Sequence, residues 1–500
     1  MQLHLLRNAV ANLLGAVVPA LAALVTVPFI VRGLGEANYG VYALVTAIVG
    51  YFAVIDINVT AGSVKYIAEF STRDDAARIG ETICFSLVVY AALGAVGALG
   101  IYLGAQVLVT QVFSVPPALA AGAVATLELA ALGFLVGQLQ SYLHSVPQAL
   151  MRFGLSGRLE VVFGSAVPLL SVAVLLRGGG LFDLVALRVL ASALHCVLLW
   201  LGIRQLLPNL RLRWPRKRLA RDLLDFSAFS FLSRFAALSY AYADKLIIGA
   251  LAGVTALAYF TVAATLANRV LGLTYRLCGV FFPAASAFAA SGQGARLRSA
   301  YLQASRYVTF LNAAMLVLIS VFAYPILLLW MGAAFARHGA VVLALMALSQ
   351  FVDSLTSLPS LVNDGSGHPR VSGLFALARA AAGLVAVWLG VLWDGIAGAA
   401  WGHLLASLVF SAAFLAYVHG RTVPASLADL WRRAYRPALS GVLAIALAAL
   451  AARRLFDNSI ASVVLQSTVT ALLLAAYGLL VVLDKHDRAL AWSHLRGRPA

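Results

Sequence analysis

Pro208-Asn209-Leu210-Arg211-Leu212-Arg213-Trp214-Pro215-Arg216-Lys217-Arg218 interrupts an otherwise apolar chain with cations, two prolines and no acid. Proline removes a backbone donor and breaks a helix, so this stretch joins helices and does not continue one. Working outward from it, six apolar runs precede it, at 9–31, 41–64, 80–108, 118–145, 159–176 and 184–207. Eight follow, at 226–252, 257–288, 301–331, 340–362, 371–393, 396–418, 438–455 and 461–483. Each is close to or beyond the ~20 residues that cross a bilayer as a helix, and the surplus in the longer ones permits tilt or projection into water. The composition agrees. At 62% hydrophobic, 11% charged and a mean hydropathy of +0.93, the chain lies far from soluble proteins, in which ~45–50% of residues are apolar and ~25% charged. The expected architecture is an all-α polytopic membrane protein of about 14 transmembrane helices. Its segments are an N-terminal lobe over 1–207, the basic linker 208–225, a C-terminal lobe over 226–418, and a last helix pair with its tail over 419–500.

The net charge of +17, from 36 Lys and Arg against 19 Asp and Glu, would suggest nucleic acid in a soluble protein. Here its placement explains it. If the N-terminus faces the cytoplasm, the inside loops hold 23 Lys and Arg, and the outside loops only Arg32, Arg177 and Arg337. That is the asymmetry of the positive-inside rule, and an even span count returns both termini to the cytoplasm. The linker's cations lie where anionic headgroups would meet them, and no nucleic-acid partner is expected. The first run is read as a span and not a cleaved signal, because it exceeds the 7–15 residues of a signal core and ends in Val31-Arg32-Gly33-Leu34-Gly35 with no small-x-small site.

The two halves echo one another. Leu34-Gly35-Glu36-Ala37-Asn38-Tyr39 leads into the second span and Leu251-Ala252-Gly253-Val254-Thr255-Ala256-Leu257-Ala258-Tyr259 into the eighth, each a glycine with a tyrosine just beyond it. Six spans is an even number, so both lobes would have the same orientation, a parallel pseudo-repeat about the membrane normal.

Several kinds of chemistry lack their residues. A nucleotide motor needs a glycine-rich loop ending in Gly-Lys, yet none of Lys65, Lys217, Lys245 and Lys485 follows a glycine. Glycosidic-bond chemistry needs acids on a water-facing loop, and the longest outside loop carries one acid, Glu36. The nine histidines show no ligand spacing with cysteines or acids. Cys84, Cys196 and Cys278 are odd in number and sit in apolar runs, where cysteine serves as a small packing residue. No metal, cofactor or enzymatic activity is expected, and the tryptophans at span ends, such as Trp330 and Trp393, read as interface anchors.

What remains is ionisable side chains at membrane depth, which are costly and usually face a bundle interior or a wet cavity. Arg269 and Arg276 stand seven apart in the eighth span, nearly on one helical face. Arg234 and Lys245 lie in the seventh, Arg379 in the eleventh, and Arg188 in the sixth on the face of His195. Such cations could hold an anionic group by charge-assisted hydrogen bonds, for which guanidinium suits phosphate. The alternative is snorkelling or pairing with an interior acid. Those acids are Asp56, Glu128, Asp244 and Asp353. Each could pair with a cation or carry H⁺ or Na⁺, with pairing the plainer reading for Asp244, beside Lys245. Asp56, in Asp56-Ile57-Asn58-Val59-Thr60, lies among other oxygen ligands and is the first candidate for ion coupling.

Asn12-Leu13-Leu14-Gly15, Pro28-Phe29-Ile30-Val31-Arg32-Gly33-Leu34-Gly35, Tyr39-Gly40-Val41-Tyr42, Asp56-Ile57-Asn58 and Lys65-Tyr66-Ile67-Ala68-Glu69 resemble the opening of the polysaccharide-biosynthesis oligosaccharide flippases, the Wzx-type O-antigen translocases. Asp244-Lys245-Leu246-Ile247-Ile248-Gly249, Gly253, Tyr259 and Phe281-Phe282-Pro283-Ala284 resemble the start of that family's second lobe. Asn58 departs from the family's usual glycine. The resemblance implies the multidrug/oligosaccharidyl-lipid/polysaccharide exporter fold, with two six-helix lobes around a central cavity and two appended helices. It also implies an undecaprenyl-diphosphate-linked oligosaccharide as substrate, moved to the periplasmic leaflet of a bacterial inner membrane by alternating access. Membrane lipids and the polymerase and chain-length proteins of the same pathway would be its partners. A lipid II flippase and an ion-coupled multidrug exporter are the nearest alternatives, and a glycan polymerase or ligase is disfavoured by the short outside loops.

Overall fold

The computed structural model describes residues 2–56, 58–215, 219–221, 223, 235, 237–278, 291, 293–456, 459–484 and 487–488, with side chains from Val18 onward except at 270–277. All regular structure among them is helical. Eleven of the helices are long and apolar enough to cross a membrane, and Val18–Leu34 is a shorter apolar one. Two of the eleven are double. One breaks at Gly253 and the other at Asp394–Gly395, where the backbone leaves helical geometry. Each of the fourteen expected spans therefore has a helical segment. The chain divides into two compact units, Met1–Ala258 and Tyr259–Ala500, and the described part of the basic linker lies within the first.

In the first unit the helices are α1 (Gln2–Leu34), α2 (Glu36–Phe52), α3 (Val59–Ser71), α4 (Ala76–Val107), α5 (Pro117–Ala149), α6 (Phe153–Leu176) and α7 (Leu181–Leu206), followed by the start of α8 (Asp244–Cys278). α4 packs on α5, α5 on α7 and α1 on α6. The turn from α1 to α2 needs Gly35, whose φ of 78° and ψ of 162° a side chain would oppose. Gly253 repeats it at φ 84° and ψ 170°, so the echo between the two glycine–tyrosine stretches has a backbone counterpart. The second expected span is not one helix. After a 3₁₀ turn at Ala53–Ile55 the chain extends at Asp56 and enters α3 through Asn58, at φ 59° and ψ 42°. Asparagine is among the few side chains that tolerate this left-handed conformation. The core beneath this break includes Ile67, Ile83, Tyr90 and Tyr142, with the two tyrosine rings stacked at 5.3 Å. Outward-facing Val96, Leu103, Leu176 and Leu190 are exposed, as expected of side chains meeting lipid.

In the second unit, α9 (Gly294–Val321), α10 (Ala323–Met331), α11 (Ala333–Ser354), α12 (Ser357–Gly365), α13 (Pro369–Arg421), α14 (Leu427–Leu430), α15 (Arg436–Leu455) and α16 (Ile460–Tyr477) follow α8. The two limbs of α13 fold against each other across Asp394–Gly395 on a contact of small residues. A Cβ on Gly398 would stand 1.9 Å from the Gly390 carbonyl oxygen, and one on Gly402 would stand 2.4 Å from that of Ala386. Gly398 and Gly402 are spaced as in the small-xxx-small contacts by which membrane helices approach closely. α15 and α16 pack on α9 through Val442, Leu474, Phe310 and Tyr477, which integrates the last two spans into this unit.

Candidate functional site

A cavity of about 510 Å³ lies wholly within the first unit, walled by α2, α5, α6, α7 and Tyr242 just before α8. The helices supply mostly Val, Ala and Gly, so the few polar groups dominate its chemistry. α7 places Arg188, Ser192 and His195 on one face by their spacings of four and three residues, and all three line the cavity. Arg188 Nη1 donates to the Tyr42 hydroxyl at 2.8 Å, and the guanidinium stands 5.8 Å from that ring's centre. One phenol therefore orients the only arginine among the described residues that line this cavity.

A second set of bonds runs alongside. The Ser192 hydroxyl donates to Gln140 Oε1, and Gln140 Nε2 donates to His195 Nδ1 at 2.9 Å. A neutral imidazole accepting at Nδ1 carries its proton on Nε2, and that atom is buried with no hydrogen-bond partner among the described residues. Phe163 stacks on the ring at 4.5 Å. Glu160, 62% exposed and on the cavity wall, lies 3.7 Å from His144 Nε2, and His144 meets His195 edge to face at 6.3 Å. A cavity of this size, mainly apolar with a few convergent polar groups, is typical of small-ligand sites. Its arginine can hold an anionic oxygen, and its amide, hydroxyls and carboxylate can hydrogen-bond a hydroxyl-rich ligand.

The other expected site residues are dispersed. Lys245 Nζ lies 3.2 Å from Asp244 Oδ1, donates to the Ala241 carbonyl at 2.7 Å and stands 6.0 Å from the Tyr242 ring centre, so the plainer reading of Asp244 as a pairing partner describes its geometry. Arg379 is ion-paired with Asp353 and donates to Ser407 Oγ at 2.8 Å, in the second unit. Asp56, 1% exposed, accepts from the Tyr90 hydroxyl at 2.9 Å and from the Asn58 amide at 2.7 Å. Glu128 is half-buried on α5, and Arg269 is exposed on α8. Arg234 and the side chain of Arg276 lie outside the described residues, as does Phe281-Phe282-Pro283-Ala284. Among the described residues no three His, Cys, Asp or Glu side chains are grouped to hold a metal.

Sequence reasoning placed Arg188 and His195 on one face but missed Tyr42, Gln140, Glu160 and Ser192. A glutamine in an apolar run was the available signal for Gln140. Nothing local marks Tyr42, because its partner is 146 positions away.

The model of a family described as polysaccharide biosynthesis protein matches residues 29–339. A relative from Shigella flexneri described as a "Putative O-antigen transporter" is 31% identical over 94 residues, which cover 19% of this chain and 22% of that protein. The matched stretch thus spans about a fifth of the relative's length. Among solved structures, lipid II flippase MurJ in an inward closed conformation aligns with a TM-score of 0.75 and 10% identity, over 94% of this chain and 97% of that one. The inward-facing conformation of a multidrug resistance MATE family transporter of the MOP superfamily aligns with a TM-score of 0.71 and 15% identity, over 85% and 99%. These likenesses fix the fold, that of the MOP superfamily transporters.

Proposed function

This chain belongs to the polysaccharide biosynthesis protein family, and from that premise we propose that it flips an undecaprenyl-diphosphate-linked oligosaccharide from the cytoplasmic to the periplasmic leaflet of a bacterial inner membrane. The observation that carries the reading is the cavity of the first unit. There one arginine, held by Tyr42, shares a wall with the serine–glutamine–histidine chain and Glu160. A diphosphate presents anionic oxygens that suit a guanidinium, and sugar rings present hydroxyls that suit an amide and a carboxylate. The polyprenyl chain needs no polar path, since it stays in hydrocarbon. Flipping proceeds by alternating access and makes or breaks no covalent bond, so the chain acts as a transporter. Coupling to H⁺ or Na⁺ belongs to the same reading, with buried Asp56 as its carrier. The O-antigen transporter description of the Shigella relative supports the substrate class.

The test is the leaflet distribution of lipid-linked oligosaccharide in membranes of a deletion strain, read with a membrane-impermeant sugar-modifying enzyme. The expected result is glycolipid retained on the cytoplasmic side and released by the restored gene. Normal arrival in the outer leaflet without the protein would overturn the reading.

A further inference from the structure

A second pocket, about 450 Å³, lies in the other unit between the first half of α9, the turn leading into α15 and the chain after α16. Its chemistry is unlike that of the first. Arg298 and Arg306 come from α9, two turns apart on one face, and Arg432 and Arg433 come from the π-helical turn Trp431–Tyr435 between α14 and α15. Four guanidiniums thus line one small space with Gln303, Ser299 and one acid, Asp484.

Two of these arginines are held in place. Arg298 Nη2 lies 2.7 Å from Asp429 Oδ2, and Asp429 also accepts from the Ser426 hydroxyl at 2.7 Å. Arg306 Nη1 lies 3.0 Å from Asp484 Oδ1, and its Nη2 donates to the Val482 carbonyl at the end of a second π-helical turn, Gly478–Val482. Its Nε is buried with no partner among the described residues. Arg432 and Arg433 are exposed, and among the described residues no acid lies within ion-pair distance of either. Asp487 accepts from Gln303 Nε2 at 2.8 Å, so the four arginines face three acids, Asp429, Asp484 and Asp487. The pocket therefore keeps an excess of positive charge. Its rim is built from widened turns, a form that recurs at functional positions.

We propose that this pocket binds a phosphate-bearing headgroup of net negative charge, with Arg432 and Arg433 as the fork that grips the phosphate oxygens and Arg298 and Arg306 as the positioned floor. Guanidinium pairs give bidentate contact to phosphate that ammonium cannot reproduce. The pocket lies at the end of α9 that also carries Arg296, in the set of basic loops assigned to the cytoplasm, where anionic lipid phosphates lie. Positive charge placed only to set topology requires no pocket and no acids holding its arginines in position, and both are present here. The site is separate from the cavity of the first unit, and the proposal stands whether or not the protein flips a glycolipid.

The experiment is native mass spectrometry of the purified full-length protein in a neutral detergent, with cardiolipin and phosphatidylcholine added in separate arms and sodium pyrophosphate in a third. The wild type is expected to retain cardiolipin about tenfold more than phosphatidylcholine, and Arg432→Gln/Arg433→Gln is expected to lose most of that preference. Displacement of cardiolipin by millimolar pyrophosphate would assign the site to a free phosphate compound as well, and its failure to displace would assign the site to lipid alone. Either supports the proposal. Unfolding temperatures in lipid-free detergent check that the variant is folded. If it is not, Arg432→Lys/Arg433→Lys, which keeps the charge and loses the fork, takes its place and is expected to retain several-fold less cardiolipin than the wild type. Equal retention by the wild type and a folded variant, or no preference in the wild type, would overturn the proposal.

Discussion

Arg379 on α13 closes on the carboxylate of Asp353 at the end of α11, with side chains only 19% and 13% exposed. Ser407, from the other limb of α13, accepts a further hydrogen bond from the same guanidinium at 2.8 Å and shares one of 2.8 Å with Ser349. The pair thus ties both limbs of α13 to α11.

Removing one member leaves the other charge poorly solvated. Arg379→Ala or Asp353→Ala is expected to cost about 3 kcal/mol, read as a lowered unfolding temperature in detergent. Arg379→Met/Asp353→Leu removes both charges at once and is expected to lose much less than the sum of the single variants. Simple additivity would show that the two side chains do not depend on each other.

Arg188 carries the anionic half of the proposed recognition. Arg188→Ala is expected to lower flipping by about tenfold to a hundredfold, in line with the ~1.5–3 kcal/mol of a hydrogen bond to a charged group. Arg188→Lys should recover part of it, having charge without the fork. Tyr42→Phe should give a smaller loss, because it removes the hydroxyl that orients the guanidinium and keeps the ring. The leaflet assay, at matched protein levels, reads all three, and an unimpaired Arg188→Ala would remove this residue from the site.

Asn58 tests the backbone. Its left-handed φ of 59° makes Asn58→Gly close to neutral, whereas Asn58→Val should destabilise by about 1–2 kcal/mol. Thermal unfolding of the two variants side by side decides it, and equal midpoints would contradict the strained geometry.

Gly402 tests the small-residue contact within α13. A Cβ there meets the Ala386 carbonyl oxygen at 2.4 Å, so Gly402→Ala is expected to cost about 1–3 kcal/mol through forced separation of the limbs. Gly420, with nothing within 4 Å of its would-be Cβ, is the control, and Gly420→Ala should cost little beyond noise. Monodispersity and melting point after purification distinguish them.

A helical segment in each expected span was legible because hydrophobic length is a local property, and the glycine–tyrosine echo was legible because Gly35 and Gly253 share a backbone conformation that few other residues take. The break in the second span was partly visible. Asp56 and Asn58 are poor helix residues in an apolar run, but hydropathy averages over them. The site was harder to read. Spacing put Arg188 near His195, yet whether a cation serves a ligand or an acid depends on partners distant in sequence, such as Asp353 for Arg379 and Gln140 for His195. Helical periodicity gives the face of a residue and not the identity of the helix opposite.

The interrupted stretch between α2 and α3 also has a mechanical consequence. A continuous helix resists bending because its ladder of backbone hydrogen bonds must stretch, but at Asp56 and at Asn58 the backbone has left right-handed helical geometry. The gap is spanned by the Asn58 amide, which donates to Asp56 at 2.7 Å, and by the Tyr90 hydroxyl, which donates to Asp56 at 2.9 Å and accepts from the Thr60 amide at 3.2 Å. Tyr90 belongs to α4. Part of this joint's bracing is therefore lent by a neighbouring helix, and Tyr90→Phe would remove that part without altering the joint's own residues.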